Sequence, residues 1–91
     1  DAVIAGSDEV AAGMVMEALN NGVKIPQDIA IMGVDDQPLA SYLQIPLTTI
    51  WQPVQDEGRC AAKEMVRQLK GESEGIRRKE LDLKLIVRQS A

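Results

Sequence analysis

The apolar positions fall in short blocks of two kinds, and their order predicts the fold. Residues 2–5 (AVIA) are an uninterrupted apolar run and read as a short buried strand. Gly6-Ser7-Asp8 follows, where a Ser or Asp side chain suits an N-cap because it accepts a hydrogen bond from a free helix amide. A helix is predicted over 9–21, closed by Asn20-Asn21-Gly22, with the glycine suited to a left-handed C-terminal cap. Pro26-Gln27-Asp28 reads as a turn. Residues 29–34 (IAIMGV) read as a second strand, nearly all apolar, as parallel strands covered on both faces are. Asp35-Asp36-Gln37-Pro38 breaks the pattern. A short helical turn over 39–43 comes next, and Pro46 holds Ile45 extended. Residues 47–51 (LTTIW) have strand chemistry. Pro53 fits the first turn of another helix, running to Lys70, with Asp56 and Glu57 at its positive end, Lys70 at its negative end and Gly71 just beyond. Residues 72–78 form a polar loop, and 81–87 read as a last strand.

The two long helices carry different faces. In the later one Val54, Gly58, Ala61, Ala62, Met65 and Leu69 share one side, the pattern of an amphipathic helix covering a sheet. The earlier one is apolar almost all round, through Val10, Ala11, Ala12, Met14, Val15, Met16, Ala18 and Leu19, with a thin polar stripe of Glu9, Gly13 and Glu17. Such a helix needs cover on two sides: its own sheet, and another element or chain. Met14 and Met16 read as core filler.

Strand, helix and strand over residues 2–34 make a βαβ unit, which sets two strands parallel. The predicted class is therefore α/β, a parallel sheet with flanking helices. Ligands of open α/β sheets bind beyond the carboxyl ends of the strands. Ser7 stands just after the first strand and Asp35 just after the second, so neighbouring strands bring both to one edge. Bland readings stand beside this one: Ser7 and Asp8 as caps, and Asp35-Asp36 as turn formers that bond their own following backbone. Trp51, one of two aromatic residues with Tyr42, suits either stacking on a ligand or gap filling.

Composition then removes chemistries. Of 91 residues 45% are apolar and 26% charged, the balance of a globular domain. No run approaches the roughly 18 apolar residues of a membrane span, and no basic-then-apolar leader opens the chain. The opening at Asp1, without Met, suggests a fragment. There is no histidine, hence no Ser-His-Asp triad and no His-ligated zinc. Cys60 is alone and reads as inert packing; a single free thiol fits a reducing compartment. Adjacent carboxylates at 35 and 36 point different ways and no third acid follows at useful spacing, which argues against a metal. No cofactor is expected: Gly6-Ser7-Asp8 lacks the spaced glycines and Lys of a phosphate loop. Residues 1–50 carry a net charge of −6 and residues 51–91 a net of +2. Arg77-Arg78-Lys79 is the one basic cluster, beside Glu72, Glu74 and Glu80, and reads as a solvated loop rather than a nucleic-acid surface.

Four segments in fixed order carry a resemblance: AVIAGSDEVAAGMVMEAL, IAIMGVDDQPLASYL, IPLTTIWQPVQDEG and LIVRQSA. Together they resemble the carboxyl-terminal part of a LacI/GalR-family bacterial transcription regulator, across essentially the whole chain. PLTTI-x-QP followed by LIVRQS separates the regulators from the related periplasmic sugar-binding proteins, the alternative reading. The resemblance implies a periplasmic-binding-protein-like effector domain of two lobes, with residues 1–52 mainly in the second lobe and 53–91 supplying a crossing, a first-lobe helix and the final strand. It implies no enzyme, a sugar-like small-molecule effector, a cytoplasmic setting without membrane contact, and operator DNA bound only through an amino-terminal headpiece outside this sequence. Family positions place effector contacts at Asp35, Ser7, Gln52 and Trp51. They place a homodimer interface on the Glu9–Asn21 helix, which accounts for its two apolar sides.

Overall fold

The computed structural model describes residues 1–72, 75 and 77–91. Its elements are β1 (Ala2–Ile4), α1 (Asp8–Asn20), β2 (Ala30–Val34), α2 (Leu39–Tyr42), β3 (Thr48–Trp51), α3 (Val54–Leu69) and β4 (Lys84–Ile86). The strands form one sheet in the order β1-β2-β3-β4, parallel from β1 to β3 and antiparallel at β4. The α/β class expected from the apolar blocks is thus the observed one. Among the described residues no helix is long and apolar enough to cross a membrane.

The chain divides into two compact units, Asp1–Gln52 with Lys84–Ala91, and Pro53–Leu83. In the first, α1 supplies Ala11 and Val15 to a core completed by Ala5, Ile25, Ile31, Ala40 and Leu47. Burying each large aliphatic side chain here is worth roughly 1.5–3 kcal/mol. Met14 packs against this core, as expected of filler, but Met16 is 61% exposed. Two residues further along a helix is about 200°, so Met14 and Met16 cannot share a face. Val10 is also exposed, so the open side of α1 carries two apolar residues beside Glu9, Glu17 and Asn20.

In the second unit α3 ends on Gly71 at φ +70°, a left-handed geometry that costs glycine little. None of its residues is buried, and Met65 and Leu69 stand exposed. Among the described residues of Pro53–Leu83 there is no strand, so this unit by itself offers no sheet for the apolar side of α3. The polar loop expected over 72–78 falls partly outside the described residues.

The last strand is shorter than the expected 81–87, for reasons visible at both ends. Trp51, the last residue of β3, pairs with Lys84, so residues 81–83 have no partner strand. Beyond Ile86, the Arg88 N–H turns to the Thr48 hydroxyl at 2.8 Å and leaves the ladder.

The carboxyl-terminal residues lock the first unit. Ser90, wholly buried, donates from Oγ to the Ile31 carbonyl at 2.6 Å and accepts the Thr48 N–H at 2.8 Å. Its own carbonyl accepts the Ile31 N–H at 2.8 Å. One residue thereby bridges the starts of β2 and β3 and satisfies backbone groups that would otherwise be buried unpaired.

Candidate functional site

Asp35 follows β2 directly, and its N–H donates to the Ile50 carbonyl at 2.8 Å, carrying the β2–β3 pairing one residue past the strand. Both Asp35 (φ 110°) and Asp36 (φ 52°) then adopt positive φ. Such backbone is sparsely populated by residues other than glycine, with Asp and Asn the usual exceptions, and it persists only where neighbours hold it. The turn lifts the Asp35 carboxylate to the sheet edge, where Oδ1 accepts from Gln52 Nε2 at 2.8 Å. Both residues are half-buried. Two residues 17 apart in sequence, each expected at the site, meet because β2 and β3 are parallel neighbours that end together.

Trp51 and Ser7 are placed differently. Trp51 closes β3 and is half-buried, and the Lys84 ammonium sits 5.0 Å from its ring centroid, a cation–π contact across the β3–β4 pair. Ser7 follows β1, which pairs with β2 in register from Ala2↔Ala30, so it stands at the same edge as Asp35. Its side chain is occupied: Oγ accepts the Val10 N–H at 3.3 Å and makes Ser7 the N-cap of α1. Glu9, in that same first turn, has its carboxyl held below its ordinary value of 4.5. The main cause is its own backbone N–H, followed by the side chains of Gln37 and Ser7.

Asp8 does not cap the helix. It is wholly buried, Oδ2 accepts the Gln37 N–H at 2.7 Å, and Oδ1 accepts the Thr49 hydroxyl at 2.5 Å. Asp36 has a different partner: its Oδ1 receives Arg88 Nη2 at 2.7 Å, while Arg88 Nη1 reaches the Leu47 carbonyl at 3.0 Å. So of the two adjacent carboxylates only Asp35 faces Gln52. Thr49 and Arg88 were not singled out by sequence reading, and Asp8 was read there only as a cap. One signal pointed to Asp8: the isolated Gly33 inside an otherwise apolar strand, which marks a close approach. Among the described residues no group of three His, Cys, Asp or Glu side chains is placed to hold a metal ion.

Known proteins share this fold. The chain matches the periplasmic binding protein-like domain over residues 1–91. It is 38% identical over 89 residues to the ribose operon repressor of Haemophilus influenzae, covering 98% of this chain and 27% of that protein. It is 37% identical to the HTH-type transcriptional repressor CytR of Escherichia coli K12, covering 98% of this chain and 26% of the relative. The chain belongs to the LacI/GalR family. Solved LacI/GalR structures agree. A LacI family regulator from Lactobacillus casei with bound glucose is 46% identical with a TM-score of 0.76, over 99% of this chain and 32% of that one. The CelR–cellobiose complex is 33% identical with a TM-score of 0.89, over all of this chain and 28% of that one. The chain therefore spans about a quarter to a third of the length of these LacI/GalR relatives. Within the LacI/GalR chain, the PLTTI and LIVRQS segments bond to one another, Thr48 to Ser90 and Arg88 and the Leu47 carbonyl to Arg88. They are halves of one lock.

Proposed function

We propose that this chain is the effector-binding portion of a LacI/GalR transcription regulator, and that Asp35 is its ligand carboxylate. The observation that carries the reading is the Asp35 side chain, raised on a positive-φ turn at the carboxyl edge of two parallel strands and oriented by Gln52 at 2.8 Å. A carboxylate accepts from two hydroxyls at once, which suits a polyhydroxylated ligand. Structures of similar proteins hold ligands of that chemistry: glucose, sucrose and TRIS in the L. casei regulator, cellobiose in CelR. Gln52 adds an amide beside Asp35, Trp51 offers an apolar face at the β3 end, and Ser7 lines the same edge. A periplasmic sugar-binding protein of a transporter is the weaker reading, because the similar proteins named above are repressors and regulators.

In this reading residues 1–52 form most of one lobe, and 53–91 supply a crossing, a helix of the other lobe and the final strand. Ligand held between lobes favours one arrangement over another only by the difference in its affinity for the two. A headpiece beyond this chain reads out that shift on operator DNA. The exposed Val10 and Met16 on α1 pair two copies into a homodimer. The protein works in the cytoplasm, without a cofactor and without catalysis.

The test is titration calorimetry of the full-length protein and its Asp35→Asn variant with D-glucose. Losing a hydrogen bond to a charged group costs about 1.5–3 kcal/mol, so affinity is expected to fall roughly 10- to 150-fold. Equal affinities in the two proteins would take Asp35 out of the site.

A further inference from the structure

We propose that Asp8 is the positioning residue for Asp35: without touching ligand, its buried carboxylate anchors the turn that presents the ligand carboxylate. This rests on the reading of Asp35 given above. Two successive residues at positive φ are costly for side chains other than glycine and need external holds. The two amides after Asp35 supply them. The Gln37 N–H donates directly to Asp8 Oδ2 at 2.7 Å. The Asp36 N–H donates to Thr49 Oγ1 at 3.3 Å, and the Thr49 hydroxyl in turn donates a hydrogen bond to Asp8 Oδ1 at 2.5 Å. Both amides thus end on one carboxylate, one directly and one through a relay.

Helix capping does not explain Asp8, since Ser7 already caps α1. Packing does not explain it either, because an apolar side chain would fill the space without the cost of burying a charge. β2 instead makes room for the carboxylate by placing Gly33 under it: a Cβ there would overlap the Asp8 side chain. A negative charge in the first turn of α1 is further favoured by the helix dipole. Both carboxylate oxygens accept, so in Asp8→Asn the amide can serve only one of the two donors, and either the Gln37 N–H or the Thr49 hydroxyl loses its acceptor.

Amide hydrogen exchange on the full-length protein reads the turn without any ligand. In Asp8→Asn and in the shape-conserving Thr49→Val, exchange at Asp36 and Gln37 should quicken by about tenfold, the worth of one hydrogen bond, while β1–β2 ladder amides keep their rates. Thr49→Ser, which keeps the hydroxyl, should restore slow exchange. D-glucose affinity should fall in Asp8→Asn through the smaller population of the competent turn, and Asp8→Asn should add nothing in an Asp35→Asn background. Unchanged exchange at Asp36 and Gln37 in both variants overturns the proposal, as does uniform acceleration along β2 or full additivity with Asp35→Asn. Wild-type glucose affinity in Asp35→Asn overturns the ligand reading instead, a result the exchange rates do not depend on.

Discussion

Gly33 lies beneath the Asp8 carboxylate, so close that a methyl group on Gly33 would overlap Oδ1 and press to 2.9 Å from the Leu47 side chain. The relationship links the middle of β2 to the first turn of α1, and it explains a glycine that strand propensity alone would exclude. Gly33→Ala is expected to destabilise the protein by about 1–3 kcal/mol, the usual cost of forcing volume into a packed site. Urea denaturation checks this, and the larger part of the loss should appear as a lower midpoint with an unchanged slope.

Ser90 makes a second prediction. Removing its hydroxyl leaves the Thr48 N–H and the Ile31 carbonyl facing a buried space with one partner fewer each. Each unsatisfied buried group costs about 1–3 kcal/mol, so Ser90→Ala should lower stability by at least that amount. Ser90→Thr keeps the hydroxyl but adds a methyl to a residue with no exposed surface, and should also destabilise. Thermal unfolding of both variants against the parent protein measures the two effects, and a Ser90→Ala variant as stable as the parent would mean that the lock contributes nothing.

Glu9 predicts a pH dependence. Its carboxyl titrates below 4.5 in the folded protein because backbone and side-chain donors hold the charged form. A lowered folded-state value means that the unfolded chain binds the proton first. The contribution is therefore present above about pH 4.5 and is lost as pH falls through the lower folded value. Melting temperature should drop over that acidic window, and Glu9→Gln should flatten part of the drop and lower the neutral-pH melting temperature by that same contribution. A slope identical in the two proteins would remove Glu9 as its source.

The lock between Arg88 and Asp36 carries a fourth. The pair is 2.7 Å apart with both side chains about one-fifth exposed, and Arg88 also holds the Leu47 carbonyl. Arg88→Met keeps most of the aliphatic stem and removes both contacts, leaving Asp36 charged and half-buried. A loss of roughly 1.5–3 kcal/mol is expected for the charged hydrogen bond, with a smaller loss in Arg88→Lys. Chemical denaturation of the two variants orders them.

Much of this was legible along the chain, because the signals were local. Apolar runs at 2–5 and 29–34 marked the parallel strands, although burial was misjudged for the first: Ile4 of β1 is 69% exposed. Gly22 and Gly71 marked helix ends, since positive φ suits glycine. Asp35 at a strand end followed from the rule that parallel strands open their ligand edge at their carboxyl ends. Contacts across long separations were not legible. Nothing near Asp8 announced Thr49, 41 residues on, and nothing near Ile31 announced Ser90, 59 residues on. Side-chain direction was equally hidden: Ser7 and Asp8 were interchangeable as caps until the helix began at Asp8 and turned that carboxylate inward. The amino-acid order by itself determined which segments are strand, helix and turn, and which polar residues follow the strands, because backbone preference and hydrophobic period act between near neighbours. Only the tertiary structure decided which of two adjacent carboxylates faces Gln52 and which is taken by Arg88, because that choice depends on where a distant chain end returns to the sheet.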